Sequence, residues 1–111
     1  MEYELRLDHD WLWIGLPAEL DHYQAEQIRE AVKEKMQEGY VKYVVFDFEK
    51  TTLMDSSGIG LIAGRYRTLA VRGGQVYVSN VSENMKRVLT LAGLYRIVTP
   101  WEEVVKAGTE G

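Results

Sequence analysis

Apolar and charged residues alternate from the start of the chain, with Tyr3, Leu5 and Leu7 set between Glu2, Glu4, Arg6 and Asp8. A period of two predicts a half-buried strand. His9-Asp10 supplies a turn, and Trp11 to Leu16 reads as a second strand, with Leu12, Ile14 and Leu16 on one face and Trp11, Trp13 and Gly15 on the other. The two predict a hairpin ended by Pro17, which cannot donate to a ladder. From Asp21 the period changes. Ala25, Ile28, Ala31, Val32, Lys35 and Met36 fall on one helical stripe, apolar except for Lys35. Asp21 with Gln24 forms an approximate capping box at its start, and Gly39 stops it. Lys42 to Phe48 is nearly continuous in β-branched and aromatic residues, the pattern of a central strand covered on both faces.

The same alternation of strand and helix continues. Asp55-Ser56-Ser57 opens a helix expected to run to about Arg72, with Ile59, Ile62, Ala63, Tyr66, Leu69 and Ala70 inward and Gly73-Gly74 ending it. Gln75 to Ser79 is a short strand. Ser82 caps a third helix whose stripe is Met85, Val88, Leu89 and Ala92, closed by Gly93. A last strand is expected over Arg96 to Val98. Thr99-Pro100-Trp101-Glu102 then reads as a full helix start, with Thr as cap, Pro first in the helix and Glu returning to the cap N–H. A helix of about two turns follows, with a frayed tail from Gly108. The order β-β-α-β-α-β-α-β-α predicts an α/β fold with a mixed, largely parallel sheet of about five strands covered by about four helices. Residues 1–111 form one domain in this reading. Sites in such sheets lie beyond the carboxyl ends of the strands, where Asp55-Ser56-Ser57 falls.

Composition narrows the function. A formal charge of −4 gives no positive field for nucleic acid or an anionic membrane. The chain has no cysteine and therefore no thiolate chemistry, and its apolar runs are too short to span a bilayer. Met1-Glu2-Tyr3-Glu4 is acidic where a secretion signal is basic, so a cytoplasmic location is expected.

The stretch from Phe46 to Gly60 carries the candidate chemistry. Two hydroxyls, Ser56 and Ser57, stand at a helix start, where unpaired N–H groups and the positive end of the helix dipole favour both a capping oxygen and a phosphate. Gly58 and Gly60 follow, although Gly costs ~1 kcal/mol relative to Ala inside a helix. Ser57 is thus either a plain N-cap, with glycines that let the helix pack on the sheet, or an exposed phosphoryl acceptor with Asp55 and the glycines shaping a partner's access. Other chemistries fit poorly. Gly58-Ile59-Gly60-Leu61-Ile62-Ala63 matches the dinucleotide fingerprint formally, but it trails its strand by about ten residues and no ribose-binding acid follows Ser79-Asn80. A hydrolase elbow would need a glycine two residues before its serine. A serine nucleophile also needs a base, and the only histidines, His9 and His22, lie in the first quarter of the chain near a hairpin and a helix start and form no metal-ligand spacing. No catalytic residue, metal or cofactor is expected, and His22 reads as a first-turn surface residue.

Met54-Asp55-Ser56-Ser57-Gly58-Ile59-Gly60, followed by Gly64-Arg65-Tyr66 and Gly73-Gly74, resembles the signature of the anti-sigma-factor antagonists, members of the STAS domain family. Glu19-Leu20-Asp21-His22 upstream, with Ser82, Lys86-Arg87 and Ala92-Gly93-Leu94 downstream, falls where the family has matching segments, so the similarity covers about residues 3 to 105. The combination Met-Asp-Ser-Ser-Gly with Gly-Arg-Tyr is most similar to the sporulation type that controls sigma-F, with the general-stress type next. The resemblance implies a protein that binds an anti-sigma factor with serine kinase activity and frees a sigma factor. It implies phosphorylation of Ser57, the serine before the glycine, and reversal by a PP2C-type phosphatase. The expected partner surface comprises Asp21, Asp55, Ser56, Ser57, Gly58 and Ile59, since the Glu19-Leu20-Asp21 turn and the Ser56-Ser57-Gly58 turn should both lie at the same end of the sheet. A small-ligand or nucleotide-binding STAS module would use the same turn as an anion nest. Pro17-Ala18 and the Trp11/Trp13 pair depart from the family pattern.

Overall fold

The computed structural model describes residues 2–110, apart from the side chains of 108–110. Strand β1 (Glu4–Asp8) turns through His9, whose φ of 55° is left-handed, into β2 (Trp11–Gly15). The hairpin register pairs Leu5 with Ile14 and Leu7 with Leu12. A two-residue strand β3 (Glu19–Leu20) leads into α1 (His22–Glu38), followed by β4 (Tyr43–Asp47), a second two-residue strand β5 (Leu53–Met54) and α2 (Ser56–Ala70). Then come β6 (Gln75–Ser79), α3 (Glu83–Leu91), a single 3-10 turn at Leu94–Arg96, β7 (Val98–Pro100) and α4 (Trp101–Glu110).

The main sheet has the order β1-β2-β4-β6-β7, antiparallel only between β1 and β2. A mixed, largely parallel five-stranded sheet with four helices is the expected architecture; β3 and β5 add a separate parallel pair that no periodicity announces. Residues of one parity align across the sheet, Leu12 beside Val44 beside Val76 and Ile14 beside Phe46 beside Val78. This row is fully buried and packs with Ala25, Ile28 and Val32 of α1, Leu61, Ile62 and Leu69 of α2, and Met85 and Leu89 of α3. The helical stripes read from the sequence therefore fill one core, with Leu61 inward where Ala70 was expected, and Ala92 exposed beyond the end of α3.

The opposite face is aromatic. Trp11 stacks on Tyr43 with ring centroids 4.4 Å apart, and Trp101 of α4 meets Trp11, Trp13 and Tyr77 edge-on at 5.0, 5.8 and 5.8 Å. Edge-to-face packing matches positive ring edges to negative ring faces. α4 thereby covers Trp11 and Trp13, and Val45 beneath this layer is completely buried.

Local boundaries differ at the carboxyl end. Gly93, at φ 74°, ends α3, and the 3-10 turn consumes the residues expected to begin the last strand, so pairing starts with Val76 opposite Val98 and reaches Pro100 opposite Val78. Proline is tolerated there because β7 is an edge strand and needs no donor on its outer side. α4 accordingly begins at Trp101, and Glu102 accepts from the backbone N–H of Asn80 at 2.9 Å instead of returning to a cap. Gln24 likewise turns from its own helix to donate to the Glu2 carboxylate. α2 ends at Ala70, two residues early, and Gly73 at φ 77° and the Gly74 N–H on the Leu69 carbonyl, 2.8 Å, make the exit. α4 extends through Glu110; the tail expected to fray from Gly108 falls on residues whose side chains, and at Gly111 the whole residue, lie outside those described.

Candidate functional site

The short β3 and β5 strands decide what meets at the carboxyl end of the sheet. Their register sets Glu19 beside Leu53 and Leu20 beside Met54. The ladder is tied further by the Thr52 N–H on the Ala18 carbonyl at 2.9 Å and the Thr51 hydroxyl on the Pro17 carbonyl at 2.8 Å. Leu20 and Met54 point into the core, whereas Leu53 is 59% exposed. Each strand is followed at once by an extended aspartate that caps a helix. Asp21 Oδ1 accepts from the Gln24 N–H at 2.9 Å, and Asp55 Oδ1 accepts from the Ser57 N–H at 2.8 Å. Two helix starts, 34 residues apart in the chain, thus stand side by side.

This arrangement corrects one option for Ser57. The cap of α2 is Asp55, because an aspartate directly before the first helical residue offers its carboxylate to the open N–H groups, which leaves both serine hydroxyls unused for capping. Asp55 and Ser56 are exposed and Ser57 is partly buried. Gly58 lies beneath them: a Cβ there would stand 2.5 Å from Met54 Cγ and 2.8 Å from Leu20 Cδ2, so its lack of a side chain lets α2 sit on the β3–β5 pair. Gly60 meets nothing within 4 Å. Ile59 packs partly buried against the core. Among the expected partner residues, Asp21, Asp55, Ser56 and Ser57 therefore share one surface, which Gly58 and Ile59 support from below. A cleft of about 210 Å³ beside it is lined by Glu19, Leu20, Asp21, Leu53, Met54 and Asp55.

His22 was missed. Its Nδ1 lies 3.2 Å from Ser57 Oγ, although the two are 35 residues apart; the hydroxyl donates when Nδ1 is bare and accepts when Nδ1 carries a proton. His22 is the exposed first residue of α1, as expected, yet it reaches Ser57 because sequence distance does not measure distance across a parallel ladder. The only hint was formal, since Leu20-Asp21-His22 and Met54-Asp55-Ser56 each read apolar, Asp, polar. The pair lacks the third group of a hydrolytic triad, since no carboxylate orients the ring from its other nitrogen among the described residues. His9 is at the far turn, 2.8 Å from Asp8 Oδ1. No group of three or more His, Asp and Glu among the described residues is placed to hold a metal ion, and no helix among them is long and apolar enough to cross a membrane.

Farther along α2, Arg65 lies partly buried, its Nη1 3.1 Å from Met36 Sδ and its Nε without a partner. Burial, and then the charges of Arg29 and Arg72, lower its pKa from the ordinary guanidinium value. In the aromatic layer, burial first and Tyr43 second raise the pKa of the Tyr77 phenol, which donates to the Gln75 side chain.

The STAS domain family matches residues 2–107. The anti-sigma F factor antagonist of Paenibacillus polymyxa is 31% identical over 99% of this chain and 96% of its own. A solved structure of the anti-sigma factor antagonist SpoIIAA in its unphosphorylated form superposes with a TM-score of 0.80 at 32% identity, covering 98% of this chain and 96% of that one. The Bacillus cell fate determinant SpoIIAA in the phosphorylated form superposes with a TM-score of 0.72 at 32% identity, over 95% and 97% of the two chains. With the family match, the sequence identity and the fold in agreement over nearly the whole chain, the protein belongs to the STAS domain family, among the anti-sigma-factor antagonists.

Proposed function

We propose that this protein is a phosphorylation-controlled antagonist of an anti-sigma factor, and that Ser57 is the controlled residue. Unmodified, it binds an anti-sigma factor that is also a serine kinase and so frees a sporulation sigma factor of the sigma-F type. The kinase moves the γ-phosphoryl group of ATP to Ser57 Oγ, ADP leaves and the hydroxyl proton is lost; a PP2C-type phosphatase hydrolyses the ester and restores the binding form. In this reading the protein works in the cytoplasm as one domain, without catalysis or cofactor of its own.

The observation that carries the proposal is the shared surface of Asp21, Asp55, Ser56 and Ser57, with exposed Leu53 as an apolar contact beside it. A partner seated there covers Ser57. Phosphorylation adds about −1.5 to −2 charges next to two carboxylates that are already present, so a partner must desolvate or repel a strongly anionic patch. The core stripe of α2 need not move, because the modified oxygen lies outside it. Binding is lost through charge and bulk, without refolding. That a relative of known structure exists in a phosphorylated form with the same overall fold supports this reading.

The test is incubation with the cognate anti-sigma kinase and ATP, followed by peptide mass spectrometry and a binding assay. Phosphate on Ser57 alone, absent from Ser57→Ala, with loss of anti-sigma binding on modification, is the expected result. Phosphate on Ser56, or full modification of Ser57→Ala, refutes the assignment.

A further inference from the structure

We infer that His22 is the internal counter-charge for a phosphate on Ser57, a positioning residue that makes the charge of the modified surface depend on pH. The inference rests on the proposed modification of Ser57. Its basis is the 3.2 Å contact between His22 Nδ1 and Ser57 Oγ, made across two helices whose starts the β3–β5 ladder holds in register. A phosphate on that oxygen brings three acceptor oxygens within one side-chain rotation of the same ring nitrogen.

The surroundings leave the phosphate few other partners. The Ser57 N–H is taken by the Asp55 carboxylate and the Gly58 N–H by the Asp55 carbonyl at 3.1 Å, so the start of α2 has already spent two of the donors a phosphate would use. Carboxylates stand at the two helix starts: Asp21 directly before His22 and Asp55 at the neighbouring cap, which line one cleft with Glu19, and Glu2, which accepts from Gln24. Glu26, one turn along α1, is paired with Arg29 at 2.9 Å. No lysine or arginine joins the side-chain hydrogen bonds of the two helix starts among the described residues. His22 is the group in contact with Ser57 that can become a cation, and imidazole changes charge between about pH 5 and 8. The second ionisation of a phosphoserine falls near 6, inside that window, so the two titrate as a coupled pair with the imidazolium and the dianion stabilising each other. The sign follows. The imidazolium–dianion pair exists between the lowered second ionisation of the phosphate and the raised titration midpoint of the ring, and above that midpoint the modified surface presents one negative charge more to a partner.

The experiment uses the full chain with phosphoserine installed at position 57 during translation, which separates this test from the question of which residue the kinase selects. The His22 ring resonances are followed against pH by NMR in the modified and unmodified proteins, with His9 as internal control because it lies at the opposite turn beside Asp8. A midpoint for His22 about one pH unit higher in the modified protein is expected, with His9 unmoved. In His22→Gln the phosphorus resonance should titrate at higher pH than in the histidine protein. Coincident His22 midpoints in the two forms overturn the pairing, whatever the fate of the variant. Kinase labelling at Ser56 instead, with the ring shift intact in the phosphoserine-57 protein, refutes only the choice of modified residue and supports the pairing.

Discussion

Replacing Gly58 and Gly60 by alanine, one at a time, separates packing from helix propensity within a single turn of α2. At Gly58 the new methyl would stand 2.5 Å from Met54 Cγ, 2.8 Å from Met54 Sδ and 2.8 Å from Leu20 Cδ2. Non-bonded carbons rest at about 3.5–4.0 Å, so α2 or the β3–β5 pair must shift by roughly an ångström. Leu20 is 1% and Met54 8% exposed, which leaves neither side chain room to swing aside. Overpacking of this kind costs about 1–3 kcal/mol, against which alanine returns up to ~1 kcal/mol of helix propensity. Gly58→Ala should therefore lose about 1–2 kcal/mol, a fall in Tm of roughly 4–8 °C for a domain of this size. Gly60→Ala meets nothing within 4 Å and should gain about 0.5–1 kcal/mol. Urea and thermal unfolding of the three proteins measure both differences. Equal shifts of the same sign would refute the reasoning, since they would mean that Gly58 does not hold α2 against the short ladder. Because Met54 and Leu20 also set the register of the two aspartate caps, Gly58→Ala should weaken anti-sigma binding while Gly60→Ala retains the ladder.

Asp21→Asn should keep Tm near that of the parent protein, since Asn caps as well as Asp, while Asp21→Ala loses about 1 kcal/mol; weakened anti-sigma binding in the Asn variant would place the charge in the interface, and unchanged binding would confine Asp21 to capping. Arg65→Met should leave stability unchanged or raise it by about 1 kcal/mol, because it removes a partly buried guanidinium whose Nε has no partner; a clear loss in urea unfolding would show that the charge is compensated. Trp101→Ala removes the ring that caps the aromatic face and should cost about 2–3 kcal/mol, with increased quenching of Trp11 and Trp13 fluorescence by acrylamide; unchanged quenching would refute the covering role of α4. The raised Tyr77 pKa stabilises the fold fully below the ordinary phenol value near 10, and that contribution is lost as pH rises through the higher folded value; a spectrophotometric titration should show a late-ionising phenol that Tyr77→Phe deletes.

Much of this molecule is written locally. The stripes of α1, α2 and α3, the caps Asp21 and Ser82, and the exits at Gly73 and Gly93 depend on neighbours within a turn, and apart from Ala70 and Ala92, which face solvent, they stand where periodicity and capping chemistry put them. The Asp-Ser-Ser-Gly run with its flanking motifs was sufficient to indicate the family. Tertiary structure decided the rest. The Asp21 turn and the serine turn are expected at the same end of the sheet, but two-residue strands have no period to read, so the β3–β5 ladder that sets their register was invisible, and with it the contact of His22 with Ser57. Whether Asp55 or a serine capped α2 depended on which group the ladder left extended at the helix start, and the last strand began late because the chain had first to complete a turn after Gly93. Trp101 could be assigned to no face until α4 was seen lying across the sheet. The physical division is one of range: propensity and capping are free energies of residues within a few positions of one another, whereas the site is made by register between segments more than thirty residues apart, and register is set by what the whole core can bury.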